Sequence, residues 1–341
     1  MKTKFILPLI VAAAFVACND DSGANAPANS DPTLSSDALA TELSSSSDMG
    51  FVDPNLSSGI DLPGVSSSSG AILPDPTSSA TPSANGIDPI PPAVDGPYDP
   101  SQKYTFYGAE LTGLEQFLYG RFEARMKMAA TSGSVSSMFL NYDLSWKKGE
   151  EPWNEIDIEV LGKAADKWQS NIITREADPS IKNTTASEKI HDFGFDATNE
   201  FHLYAIIWTP EYVAWEIDSV EVRRVSVGEL VGSHADADQV KFLTEKQSLR
   251  FNLWASKSAS WTGKWAPENL PIEQHIDYVR VYAYNADTKD FTLSWQDDFD
   301  GIALDYSRWS EGNWEMERVM YRDLNIRVEN GYAKLRLDYE L

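Results

Sequence analysis

From Tyr119 to Tyr284 the chain is broken into short runs in which apolar and polar residues alternate, and that period of two constrains the fold more than any other feature. The run Tyr119-Gly120-Arg121-Phe122-Glu123-Ala124-Arg125-Met126-Lys127-Met128 sets the pattern. Successive side chains of a strand point to opposite faces, so such a run presents one face to a core and the other to solvent. Val135 to Leu140, Glu155 to Leu161, Gln169 to Thr174, Phe201 to Trp208, Val213 to Ile217, Leu249 to Trp254 and Ile276 to Tyr284 read as further strands. The most helix-like stretch, Ala235 to Glu245, is short and reads as a loop with one turn. Strands at this spacing without amphipathic helices between them predict an all-β sandwich or jelly roll. No internal repeat is evident, which argues against a propeller or solenoid.

One run stands apart for its chemistry. Trp153-Asn154-Glu155-Ile156-Asp157-Ile158-Glu159-Val160 alternates strictly, so Glu155, Asp157 and Glu159 share one face and Ile156, Ile158 and Val160 the other. Neighbouring acids of that row lie roughly 6.6 Å apart at Cα, and like charges that close raise one another's pKa at a cost in stability. A solvated strand face usually mixes Lys, Thr or Ser with its acids, and this one carries no basic residue. Paired-carboxylate chemistry is the better reading.

The flanking regions bound the rest. Residues 1 to 18 carry Lys2 and Lys4, an apolar run and small residues before Cys18, the pattern of a secretory signal peptide; Phe15-Val16-Ala17-Cys18 resembles a lipobox, although Leu is usual where Phe15 stands. A lipid on Cys18 would anchor the mature protein without spanning the membrane, and cleavage with free secretion is the alternative. Residues 19 to 102 form a Ser/Pro/Asp-rich linker; up to Pro100 it holds twelve acidic residues and no Lys or Arg, half of the formal charge of -24. Such a composition cannot offset the entropy of ordering and predicts a disordered tether. An acidic chain offers no basic patch for nucleic acid or an anionic membrane surface, whereas its many Trp and Tyr suit a neutral, hydroxyl-rich substrate. Cys18, the only cysteine, excludes an internal disulfide, and His191, His202, His234 and His275 lack metal-ligand spacing. A monomer is expected.

The region from 103 to 341 reads as a single domain. Its tail carries strand-like Phe291 to Trp295, Leu324 to Val328 and Tyr332 to Leu337. About fifty residues without a cysteine is near the limit for independent folding, so 290 to 341 is expected to complete the sheet of the preceding strands.

At this point the residues resemble a known family. Trp153 to Lys163 is similar to the catalytic strand of glycoside hydrolase family 16, most of all its bacterial lichenases, the 1,3-1,4-β-glucanases. Tyr119 to Arg125, Trp208-Thr209-Pro210 with Trp215, and Asp277-Tyr278-Val279-Arg280-Val281-Tyr282 support the match in order, from about Tyr104 onward. The resemblance implies a concanavalin-like β-jelly-roll sandwich. One departure is informative: Trp295 to Trp309, with Asp297-Asp298-Phe299-Asp300-Gly301, resembles what normally opens the family's domain, yet it follows the closing strand. The chain therefore looks circularly permuted, with a join at Asp287 to Asp290 and Leu341 near Tyr104, an arrangement tolerated where the original termini lie close. A separate tail domain is the competing reading.

Glycoside hydrolysis uses two carboxyl groups, about 5–5.5 Å apart when configuration is retained. Glu155 and Glu159 are about 13 Å apart at Cα on a straight strand, and leaning side chains with sheet curvature bring retention within reach. Spacing alone does not say which attacks. The resemblance implies Glu155 as nucleophile and Glu159 as general acid/base, with Asp157 between them tuning the pair. It also implies a cleft contacting sugar through Phe139, Asn141, Trp153, Gln169, Asn171, Trp254 and Trp261, each of which could equally be packing residues. Gln169 and Asn171 point to one strand face, which favours the cleft. Asn141 and Asp143 stand where related lichenases carry other groups, which leaves the preferred linkage open. No cofactor is required for catalysis; Asp277 matches a calcium-ligand position of some relatives, but calcium takes six to eight oxygens. The expected activity is a retaining endo-β-glucanase on mixed-linkage β-glucan. The unbroken Glu-x-Asp-x-Glu spacing favours lichenase-like over laminarinase-like members. A transglycosylase, a hydrolase of laminarin or xyloglucan, or a non-catalytic carbohydrate-binding jelly roll are the alternatives.

Overall fold

The computed structural model describes residues 98–178, 180, 185–233 and 237–341. The signal peptide with Cys18, the linker through residue 97, and His234 lie outside the described residues. In chain order the strands are β1 (Thr105–Phe117), β2 (Gly120–Lys127), β3 (Ser134–Asn141), β4 (Trp153–Leu161), β5 (Lys167–Arg175), β6 (Thr185–Ala186), β7 (Lys189–Asp192), β8 (His202–Trp208) and β9 (Tyr212–Ile217). They continue as β10 (Val220–Ser226), β11 (Gln247–Ala255), β12 (Ile272–Tyr284), β13 (Phe291–Asp297), β14 (Trp309–Glu311), β15 (Glu315–Met316), β16 (Val319–Tyr321), β17 (Ile326–Glu329) and β18 (Tyr332–Glu340). The helical pieces α1 (Gln239–Phe242) and α2 (Ala259–Thr262) are single turns.

Two antiparallel layers result. One runs β14-β1-β11-β3-β4-β5, with β6 and β7 on the far side of β5. The other runs from β12 through β2, β8 and β9 to β10. The tail strands join both layers. β13 and β18 pair with successive stretches of β12, β17 pairs with β18, and β18 also pairs with β1, placing Thr105 opposite Glu340. The rings of Tyr104 and Tyr339 meet edge-on with centroids 4.7 Å apart.

Alternation explains which side of β4 faces the core. Ile156, Ile158 and Val160 are fully buried with Met138 and Leu140 of β3, Ile172 of β5 and Leu249, Phe251 and Leu253 of β11, against Phe122, Met126, Tyr204, Ile206, Trp208, Trp215, Val279 and Val281 of the facing layer. Each such side chain gains roughly 1.5–3 kcal/mol on leaving water. Trp215 crosses the core to donate its indole N–H to the Asp157 carbonyl at 2.9 Å, tying the layers together directly behind the acidic row. The other face of β4 is left free to be polar.

Candidate active site

Cross-strand register assembles that polar face. Opposite Glu155 stands Asn141 on β3; opposite Asp157 stand Phe139 and, on β5, Asn171; opposite Glu159 stand Ser137 and Gln169. One strand further, β11 places Ser248, Arg250 and Asn252 beside Asn141, Phe139 and Ser137, and β1 adds Glu110 beside Asn252. Directly opposed antiparallel residues point to the same side, so these groups form one surface.

The outer two acids differ in their partners. Glu155, buried, accepts hydrogen bonds at Oε2 from the Trp153 indole N–H and from Asn141 Nδ2 at 3.0 Å. Glu159, partly buried, accepts at Oε2 from Gln169 Nε2 at 3.0 Å, and the Trp261 indole in turn donates to Gln169 Oε1 at 3.2 Å. Burial pushes Glu155 up to about 7, while Trp153, Asp157, the Arg250 charge and Asn141 pull it back. Burial, the charge of Glu155 and the charge of Glu188 push Glu159 to about 8, against the hydrogen bond from Gln169. Asp157 is raised well above its ordinary range, by burial and by the acids on both sides, so it keeps its proton and donates to Glu155. The two outer carboxyls thus differ in their donors, two side-chain N–H groups on Glu155 and one on Glu159, and unlike surroundings are what a carboxyl pair needs to divide acid and base roles.

Arg250 anchors the adjoining wall. It is 2% exposed, donates to Glu110 Oε1 at 3.0 Å and to Asp143 Oδ1 at 2.7 Å, and Ser248 Oγ also donates to Asp143 at 2.6 Å. Gln116 donates to the other Asp143 oxygen. A buried ion pair of this kind is costly to break from either side, because the orphaned charge stays out of water.

The residues expected on the cleft share this region with defined structural work. Trp153, on the same strand face as Glu155, is covered by the Arg175 guanidinium, 5.0 Å from its ring centre. Asn171 accepts the Ser187 N–H at 3.0 Å, and Trp254, buried, packs with Trp261 at 5.9 Å. Asp277 is elsewhere, in the β12 layer, where it pairs with Arg125 Nη1 at 2.6 Å. Among the described residues no group of three His, Cys, Asp or Glu side chains could hold a metal ion. A carboxylate already matched by an arginine, without companions, does not fit a calcium ion that takes six to eight oxygens, and no step of the chemistry below runs through one.

Arg250, Glu110 and Trp215 were not singled out from the sequence as parts of this site. Arg250 had a legible signal: Ser248, Arg250 and Asn252 alternate with Leu249, Phe251 and Leu253, the same polar-face pattern as on β4.

The family model for glycosyl hydrolases family 16 matches residues 100–280. The chain belongs to that family. Within it, the chain is 46% identical over 238 residues to a beta-glucanase of Fibrobacter succinogenes, covering 68% of this chain and 64% of that protein. It is 35% identical over 172 residues to a beta-glucanase of Bacillus subtilis, covering 50% of this chain and 61% of the relative. The match therefore spans less than two thirds of either family-16 relative's length. A solved Bacillus licheniformis beta-glucanase aligns at 28% identity and a TM-score of 0.40, covering 50% of this chain and 69% of that one.

Proposed function

We propose that this family-16 chain is a retaining endo-β-glucanase acting on mixed-linkage 1,3-1,4-β-glucan. The observation that carries the reading is the unlike pair on one face of β4: Glu155 held by the Trp153 and Asn141 donors and Glu159 by Gln169 alone, with Asp157 between them. In the first step Glu155 attacks the anomeric carbon while Glu159 gives its proton to the departing glycosidic oxygen. In the second, Glu159 takes a proton from water, which displaces Glu155 from the glycosyl-enzyme. Trp153 and Asn141 stabilise the Glu155 carboxylate when it is released. The beta-glucanase relatives support a glucan as substrate.

The same proposal takes the domain as circularly permuted. It is supported by the tight turn in which Asn285 N–H donates to Asp290 O at 2.9 Å between β12 and β13, and by the adjacency of β1 and the end of β18. It takes the protein as an exported monomer, lipidated at Cys18. Reducing-sugar release from barley β-glucan, laminarin and xyloglucan, measured in parallel, tests the substrate. Fastest release from the barley polymer is expected. Preference for laminarin or xyloglucan would reassign the substrate, and binding without release from any would make the domain a carbohydrate-binding module.

A further inference from the structure

The Trp261–Gln169–Glu159 chain of hydrogen bonds does more than line a cleft. An indole has a donor and no acceptor, so the bond from Trp261 Nε1 fixes the Gln169 amide with its oxygen toward the tryptophan. The NH₂ group must then face Glu159, where it donates to Oε2. In a protonated carboxyl the carbonyl oxygen is the better acceptor, so an N–H held on Oε2 favours the form with the acid proton on the other oxygen. We propose that Trp261 and Gln169 are positioning residues for the acid/base, committing Oε2 of Glu159 as an acceptor and so assigning its transferable proton to Oε1.

This rests on the reading of Glu159 as the acid/base. In the first step the Oε1–H bond breaks and the proton goes to the leaving glycosidic oxygen; in the second, Oε1 takes a proton from the attacking water while the Glu155–glycosyl bond breaks. Oε2 stays bonded to Gln169 throughout. Because the donor favours the ionised form, the relay also limits how far Glu159's other surroundings raise it. Glu155 raises it from its own strand, on which the protonated Asp157 also stands, and Glu188 raises it from between β6 and β7, itself facing Arg223 of β10. On the β3 side stands Ser137, whose hydroxyl is turned to Asn252 Oδ1 at 2.6 Å. Beside α2, Lys163 is committed to the Ser260 carbonyl at 3.3 Å.

The test is Trp261→Phe in the full chain, which keeps a ring against Trp254 and removes the N–H. The expected result is a kcat on barley β-glucan lowered ~10-fold, a part of the ~10²–10⁴ that general acid–base catalysis contributes, with KM little changed and the alkaline limb of the kcat profile moved to higher pH. Gln169→Leu should move the limb the same way and carries the test if Trp261→Phe does not fold. A folded variant whose alkaline limb stays at the wild-type position overturns the relay, as does a loss confined to KM, which would make Trp261 a sugar contact. Glu159→Gln separates this from failure of the underlying reading: if that variant still turns over β-glucan, Glu159 is not the acid/base at all.

Discussion

Glu155, Asp157 and Glu159 on β4 and Glu273 on β12 are acidic side chains of one sandwich that meet opposite surroundings. Burial pushes all of them up. On β4 the hydrogen-bond partners of the acids are other acids and neutral donors, the Arg250 guanidinium nearby is already shared between Glu110 and Asp143, and all three end raised. Glu273 is also pushed up by burial, but a hydrogen bond with His275 and the charges of Arg327 and Arg336, at 2.6 and 3.3 Å, outweigh it and hold the carboxyl at about 2. Arg336 continues to Asp338 at 2.8 Å and Arg322 links Asp338 to Glu340, so the matched network fastens β17 and β18 to β12. Charge matching marks the acids that hold the tail in place, and its absence on β4 marks those available to react.

That contrast can be broken most forcefully at its reactive end. Glu155→Gln and Glu159→Gln should each lower glucan hydrolysis by ~10²–10⁴-fold or more with no loss of melting temperature, read by reducing-sugar assay beside thermal unfolding. Near-normal turnover in either would remove that residue from the pair. Asp157→Asn should cost less, on the order of tenfold, because it alters the pair's tuning and not a reacting group; a loss equal to that of Glu155→Gln would make Asp157 a reactant. At the matched end the signs reverse. Glu273→Gln should leave hydrolysis unchanged and destabilise the domain by about 1.5–3 kcal/mol, the range for a hydrogen bond to a charged group, in chemical denaturation.

The subtlest difference is in pH dependence. Glu159 is raised from its ordinary 4.5 to about 8, so the stability it contributes by holding its proton is present below 4.5 and lost as pH rises through about 8. Glu159→Gln should therefore gain on the wild type in melting temperature between pH 5 and about 9. Glu273 is depressed to about 2, so its contribution is present above 4.5 and lost as pH falls through about 2, where the deficit of Glu273→Gln should vanish. Parallel shifts in the two variants would erase the distinction between the rows.

Much of this was legible because a period of two is a local signal. β2, β3, β4, β5, β8, β9, β11 and β12 lie within a few residues of their alternating runs, and the acidic face of β4 could be read directly. β1, thirteen residues long and bonded to β11, β14, β16 and β18, could not. Gly108 and Gly113 interrupt its alternation, and Glu110 stands fully buried where a polar residue would be expected to face water. Gly108 is there because a Cβ would lie 2.6 Å from the Leu253 carbonyl oxygen. The partners that set the chemistry of β4 were hidden for a different reason. Arg250 lies 95 residues from Glu155 in sequence and Trp261 lies 102 from Glu159, and only strand pairing brings β11 and the α2 loop to the acids.

Trapping the covalent intermediate tests the central claim most directly. A 2-deoxy-2-fluoro glucooligosaccharide with an activated leaving group should slow breakdown of the glycosyl-enzyme, so that peptide mapping by mass spectrometry finds the added sugar. One sugar per chain, on Glu155, is the expected result. A label on Glu159, or steady turnover of the unmodified substrate with no label on any residue, would contradict it.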